Sequence, residues 1–228
     1  IKECNSFIEN HISCLTNGGI IIFDLENNLS EIISVNEGLS KSIYNHIEID
    51  NYSNIWISCK YNEKNIDVWS YSKEKIINRF SYDVDEITRM ESDSLNLFAV
   101  YWDDNDIGLM HFIMDDQEWE YLDYYIQFGE DIVEIYDIKI LNESILLSTN
   151  AGIIKGELSD NLKNGSSWNL LDSGNNPVNF VKSEQLEWFT QDSIFQYDEN
   201  NEIIQIEFGI NNIIDLIHSE NYYILTEN

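Results

Sequence analysis

The chain has 228 residues, 43% of them hydrophobic, which is enough to bury a sizeable core in one all-β domain. With 42 acidic against 12 basic side chains its formal net charge is −30, which argues against nucleic acid and anionic membrane surfaces, since both need lysine and arginine. It has one proline, Pro177, and no run near the ~18 apolar residues that span a bilayer, so direct membrane insertion is not expected. In chain order, short strands are predicted over 1–7, His11–Thr16, Ile20–Leu25 and Glu31–Val35. The next four are Tyr44–Asp50, Ile55–Cys59, Ile66–Tyr71 and Lys75–Phe80. Then come Glu86–Glu91, Leu95–Tyr101, Gly108–Met114 and Trp119–Tyr124, followed by Val133–Leu141, Ser144–Thr149, Gly152–Glu157 and Trp168–Leu171. The last are Asn179–Lys182, Leu186–Thr190, Ile194–Tyr197 and Glu202–Phe208, then Ile213–His218 and Tyr222–Thr226. Links rich in Asn, Asp, Ser and Gly separate them, as hairpin turns require.

One phrase recurs along this series. Leu15-Thr16-Asn17-Gly18-Gly19-Ile20 returns as Ser148-Thr149-Asn150-Ala151-Gly152-Ile153 and again as Phe189-Thr190-Gln191-Asp192-Ser193-Ile194. Each copy is an apolar strand, a polar tight turn and a second strand. The residues that open the second strands, Ile20, Ile66, Leu109, Ile153 and Ile194, are 46, 43, 44 and 41 residues apart. A multi-strand repeat of that length fits a propeller blade, and no segment carries a helical apolar stripe. The expected fold is an all-β propeller of four-stranded antiparallel blades, five blades plus a partial sixth, as an excerpt of a larger ring. It forms one domain, 1–228, with repeats at about 1–37, 38–83, 84–131, 132–176, 177–210 and 211–228. Gly19 and Gly152 mark the repeat. Because the sixth repeat breaks off after Thr226, the parent chain is expected to continue into further domains.

Residues 38–58, Gly38-Leu39-Ser40 through Asp50 to Asn54-Ile55-Trp56-Ile57-Ser58, carry a family resemblance. They resemble the two-component-regulator propeller repeat, approximately Gly-Leu-Ser-x-x-x-Ile-x-x-Ile-x-x-Asp-x-x-Gly-x-Ile-Trp-Ile-Gly-Thr. Asn54 is read as replacing the turn glycine, and Ser58-Cys59 replaces Gly-Thr. Ile43, Ile47 and Ile49, then Ile55 and Ile57, are expected to pack between blades, with Trp56 beside them and Asp50 capping its turn. Such repeats occur in sensor ectodomains of hybrid histidine kinases and in secreted or surface propellers tied to type IX (Por) secretion. The opening Asn17-Gly18-Gly19-Ile20, running on to Gly38-Leu39-Ser40, is similar to propellers of the second group. The resemblance implies a bacterial, extracytoplasmic, non-enzymatic module, periplasmic, surface-bound or secreted, with a protein or glycan partner at the cell surface. The alternatives are a ligand-sensing ectodomain and a glycan-active enzyme.

Candidate chemistry is sparse. Cys4 and Cys14 flank a polar turn near Glu9-Asn10, so adjacent antiparallel strands could bring them opposite each other. A disulfide then depends on an oxidising compartment. Cys59 reads as a small buried side chain. His11, His46, His111 and His218 fall in different repeats without ligand spacing. Asp103, Asp104 and Asp106, with Asn105, read first as a solvated turn and only as weak candidates for a Ca²⁺ site, since they offer the hard oxygens that ion takes. Asn164-Gly165-Ser166-Ser167-Trp168 approaches an Asp-box turn, with Lys163 where the box has its aspartate. The arginines, Arg79 and Arg89 among them, are scattered. No catalytic residue and no cofactor are expected.

Overall fold

Short apolar runs joined by two-residue polar turns can pair only with their chain neighbours, so the strands build antiparallel meanders. The computed structural model describes residues 3–6, 11–40, 43–60, 64–104, 106–129, 131–172, 178–181, 185–190, 193–197, 203–206, 213–218 and 222–226. The turn at Glu9-Asn10, Asn105, Pro177 and the turn Gln191-Asp192 lie outside them. Internal packing divides the chain into two compact units, Ile1–Ile126 and Gln127–Asn228.

The first unit holds three sheets. Strands β1 (Glu3–Ser6), β2 (His11–Thr16), β3 (Gly19–Asp24) and β4 (Leu29–Ile33) form the first, and β5 (Ile43–Ile49), β6 (Asn54–Lys60), β7 (Asn65–Ser70) and β8 (Lys75–Ser81) the second. The third consists of β9 (Glu86–Ser92), β10 (Asn96–Asp103), β11 (Asp106–Asp115) and β12 (Glu118–Tyr125). In the second unit, β13 (Ile135–Leu141), β14 (Ser144–Thr149), β15 (Gly152–Glu157) and β16 (Trp168–Asp172) form one sheet. Another holds β17 (Asn179–Phe180), β18 (Glu187–Phe189), β19 (Ile194–Tyr197) and β20 (Ile203–Ile206), and β21 (Ile213–His218) pairs with β22 (Tyr222–Thr226). Every sheet is paired in chain order. The fold is a β-propeller of five four-stranded antiparallel blades followed by two strands of another.

Burial follows position within the blade. The first strands meet across blades, β1 against β5, β5 against β9, and β13 against β17. The middle strands are covered on both faces, so β6, β7 and β14 are buried along their whole length apart from Lys60. Ile55, Ile57 and Cys59 on β6 join Leu15, Ile20, Ile33 and Ile47 in the core between the first and second blades. Trp56, on the opposite face of β6, joins Ile66, Val68, Ile87, Leu97 and Phe112 between the second and third. The outermost strands β4, β8, β16 and β20 are largely exposed, and β12 buries only Trp119 and Tyr125.

Several sequence expectations shift. Ile43 is exposed rather than packed between blades, and Ile49 is only half-buried. A bulge between Tyr44 and Ile47 changes the register of β5, and Tyr44 takes the inward place. Asn54 is not the left-handed turn residue; Ser53 is, at φ 59°, while Asn54 begins β6. The strand predicted over Glu31–Val35 ends at Ile33, because Ser34 caps a 3₁₀ turn over Val35–Glu37. Glu37 completes the capping box by accepting from the Ser34 backbone N–H. The strand predicted from Val133 begins at Ile135, and Val133 is exposed.

The first two copies of the repeated hairpin share one geometry, and the turn of the third lies outside the described residues. Thr16 pairs with Gly19 and Thr149 with Gly152 across two-residue turns. In each, the threonine hydroxyl donates to the glycine carbonyl (2.8 and 2.7 Å) and accepts from the N–H two residues on. Gly19 sits at φ 140° and Gly152 at φ 117°. A Cβ on Gly19 would run into the Ile33 carbonyl.

Candidate functional site

The residues carrying the repeat resemblance serve the fold. Asp50 is buried where β5 turns into β6. Its Oδ1 accepts from the Tyr52 and Asn54 backbone N–H groups, both at 2.9 Å, which is the turn cap the sequence predicts. Its Oδ2 accepts from Asn54 Nδ2 (2.9 Å), Trp56 Nε1 (3.0 Å) and Trp119 Nε1 (2.8 Å). One carboxylate thus joins two indoles from neighbouring blades, whose rings meet edge-to-face at 5.2 Å. Trp56 is fully buried, in keeping with packing between blades.

A second buried acid was not singled out in the sequence. Asp67, in the middle of β7, accepts from Ser40 N (2.6 Å), Ser40 Oγ (2.9 Å), Arg79 Nε (2.6 Å) and an Arg79 terminal nitrogen (3.3 Å). Arg79 also donates to the Gly38 carbonyl, and the Tyr44 hydroxyl to the Ser40 carbonyl. The Gly-Leu-Ser phrase is therefore the latch that ties the link between first and second blades to β7. An aspartate amid the apolar alternation of Ile66, Val68 and Trp69 was the available signal, since a buried carboxylate needs donors at hand.

Beside this latch a cleft of about 420 Å³ opens between the second and third blades. Ile66, Met110 and Phe112 line it together with Phe80, Tyr82 and Tyr121. Phe80 and Phe112 lie 4.9 Å apart, and Phe112 meets Tyr121 edge-on at 5.6 Å. Tyr121 faces this side because it pairs with Phe112, just past a bulge in the β11–β12 ladder. It is 49% exposed. Arg79, Ser81 and Asp83 supply the polar lining. The Arg79 charge is met by Asp67, the Ser81 hydroxyl donates to Asn65 Oδ1, and the Tyr82 hydroxyl donates to the Cys59 carbonyl. Burial raises the Tyr82 phenol far above its ordinary value, so it stays neutral. The cleft brings together aromatic side chains and the exposed carboxylate of Asp83.

The other sequence candidates are dispersed. Asp103 and Asp106 pair across the β10–β11 hairpin, and Asp104 sits between them in the left-handed region at φ 53°. Asp104 N donates to Asp85 Oδ2, and the Asp104 carbonyl accepts from Trp102 Nε1. Among the described residues no three His, Cys, Asp or Glu side chains converge to hold a metal ion. His46 contacts Glu3 Oε2 at 2.8 Å, and His11 meets the Tyr71 hydroxyl. His111 is stacked on Phe98, its Nε2 against Asn96 Oδ1 (3.0 Å) and its Nδ1 against the Tyr125 hydroxyl (2.9 Å). Burial lowers its pKa to about 4. His218 lies on β21, with its side chain outside the described residues. In place of an Asp-box, Gly165–Ser167 is a 3₁₀ turn capped by Asn164, and Trp168 packs on Phe128. Cys4 and Cys14 are directly paired in the β1–β2 ladder and joined by a disulfide; Cys59 is free and buried.

No family model matches the chain, and no curated protein matches it in sequence. Solved structures match it in fold. PorZ of Porphyromonas gingivalis, an essential bacterial surface component of the type-IX secretion system, aligns at 13% identity and TM-score 0.64, over 98% of this chain and 35% of its own. The extracellular domain of the hybrid two component system BT4673 from B. thetaiotaomicron aligns at 18% identity and TM-score 0.53, over 85% of this chain and 26% of its own. The AfRom2 CNH domain aligns at 12% identity and TM-score 0.64, over 99% of this chain and 77% of its own. The chain thus spans about a third of the PorZ structure's length, and what it shares with all three is the β-propeller fold.

Proposed function

We propose that this chain is a non-enzymatic binding propeller that works outside the cytoplasm, as a scaffold for contacts at the cell surface linked to secretion or surface assembly. The observation that carries this reading is the Cys4–Cys14 disulfide. The propeller fold is shared with proteins of several kinds, whereas a disulfide persists in an oxidising compartment and is rare in the cytosol. The bond is placed to matter, because β1 is the strand whose Glu3 accepts from the Ile47 backbone N–H and contacts His46 of the second blade. The surface role of PorZ supports the secretion link. The BT4673 ectodomain supports a second reading, a ligand-sensing ectodomain. In both, the buried carboxylates Asp50 and Asp67 serve as structural hubs and the open cleft serves for binding.

Thiol trapping in the native host tests the compartment. Cells are quenched in acid and the protein is denatured and tagged with a mass-shifting maleimide, with and without prior reduction. Without reduction, Cys59 alone should take the tag; after reduction, all three cysteines should. Three tags without reduction would place the chain in a reducing compartment and overturn the reading. Fractionation then separates the roles: outer-surface exposure supports the scaffold, and retention with a membrane-coupled kinase supports the sensor.

A further inference from the structure

We propose that the cleft between the second and third blades is a receptor for a basic peptide segment, and that it takes a lysine or arginine side chain between its aromatic walls. This rests on the binding-module reading above and names the chemistry of the partner. Its lining combines the partly exposed rings of Phe80, Tyr82 and Tyr121 with the buried side chains of Ile66, Met110 and Phe112. Ring faces attract cations through their quadrupole, and apolar walls cover the aliphatic stem of a long basic side chain. Among the lining residues the charges are Arg79 and Asp83. Arg79 is matched at 2.6 Å by the buried Asp67, so Asp83, exposed on the lining, sets the sign.

The surroundings reinforce that sign. Asp83 leads into Asp85, which bonds to the β10–β11 hairpin: Asp85 N donates to the Trp102 carbonyl, and Asp104 N donates to Asp85 Oδ2. Asp103, Asp104 and Asp106 therefore lie at the same end of the third blade as the Asp83–Asp85 segment. Lys64 approaches Asp85 at 3.5 Å and offsets one of these charges. With a chain charge of −30, the field around the cleft draws cations and repels anions, which selects a basic segment over an acidic one.

Methionine methyl NMR on the full chain is the test, because the protein has three methionines and only Met110 lines the cleft. Met90, buried in the core, reports that the fold is intact. The probes are hexalysine, hexaglutamate and maltohexaose. Hexalysine should shift the Met110 signal and leave Met90 in place, and the other two should do nothing. Raising salt from roughly 0.02 to 0.2 M should weaken the response strongly. Tyr121→Ala and Asp83→Asn, both at exposed positions, should each weaken hexalysine binding by about fivefold or more. The proposal is overturned by a silent Met110, by a response to maltohexaose instead, or by a hexalysine response that Tyr121→Ala leaves unchanged. None of these results bears on the thiol state of Cys4 and Cys14, so failure of the receptor and failure of the compartment reading are distinguishable.

Discussion

Replacing Asp50 by alanine should be among the most damaging single changes in the first unit. Oδ2 accepts from two buried indole N–H groups, Trp56 at 3.0 Å and Trp119 at 2.8 Å, and Oδ1 caps the turn through Tyr52 and Asn54. Each buried donor left without a partner costs about 1–3 kcal/mol. Two indoles and a lost cap together give roughly 4–6 kcal/mol, a large part of the ~5–15 kcal/mol that holds a typical domain together. The shared acceptor makes a sharper statement through a double-mutant cycle. In a Trp119→Phe background one of the orphaned donors is already gone, so Asp50→Ala should cost about 1–2 kcal/mol less than in the parent. Urea unfolding of the four proteins, followed by tryptophan fluorescence and circular dichroism, reads the coupling. Costs that add within about 0.5 kcal/mol would refute the view that Asp50 joins the second and third blades through Trp119.

Cys14→Ser, or reduction of the parent, should lower stability by about 3 kcal/mol, since the bond closes a loop of sequence separation 10; reduction that leaves the melting temperature unchanged would count against the bond. His111 titrates near 4 in the folded chain against 6.5 unfolded, so the unfolded state binds the extra proton and stability falls as pH drops from 6.5 through 4. The loss should reach up to about 3 kcal/mol, and His111→Gln should flatten that part of the pH–stability curve. Gly19→Ala should destabilise by roughly 2–4 kcal/mol, because φ 140° and the nearby Ile33 carbonyl leave no place for a Cβ, whereas Gly18→Ala, with open space around it, should be mild.

Much of the architecture was legible because hairpins are local. Thr16-Asn17-Gly18-Gly19 and Thr149-Asn150-Ala151-Gly152 bring their strands together within a few residues, so period and strand count could be read directly. The pairing of Cys4 with Cys14 was visible as a possibility for the same reason. One failure lies where a single bulge changes which face a residue takes. Ile43 reads as core by alternation, yet the bulge after Tyr44 turns it to solvent. The left-handed turn residue was read one place late, at Asn54 rather than Ser53, because both are small polar residues that suit the same turn.

The sequence by itself determined the all-β class, the blade repeat, the buried role of Trp56 and the capping role of Asp50, since each follows from strand alternation or from contacts within one turn. Only the tertiary structure decided that Asp50 also serves Trp119, that Ser40 and Arg79 close on Asp67, and that Phe80, Tyr82 and Tyr121 open onto one cleft. Those groupings join residues 27 positions apart for Ser40 and Asp67, and 69 for Asp50 and Trp119. They arise because neighbouring blades press opposite faces of β6 and β7 into two separate cores. That stacking is set by the angle between sheets and the register within them, which no local run of residues records.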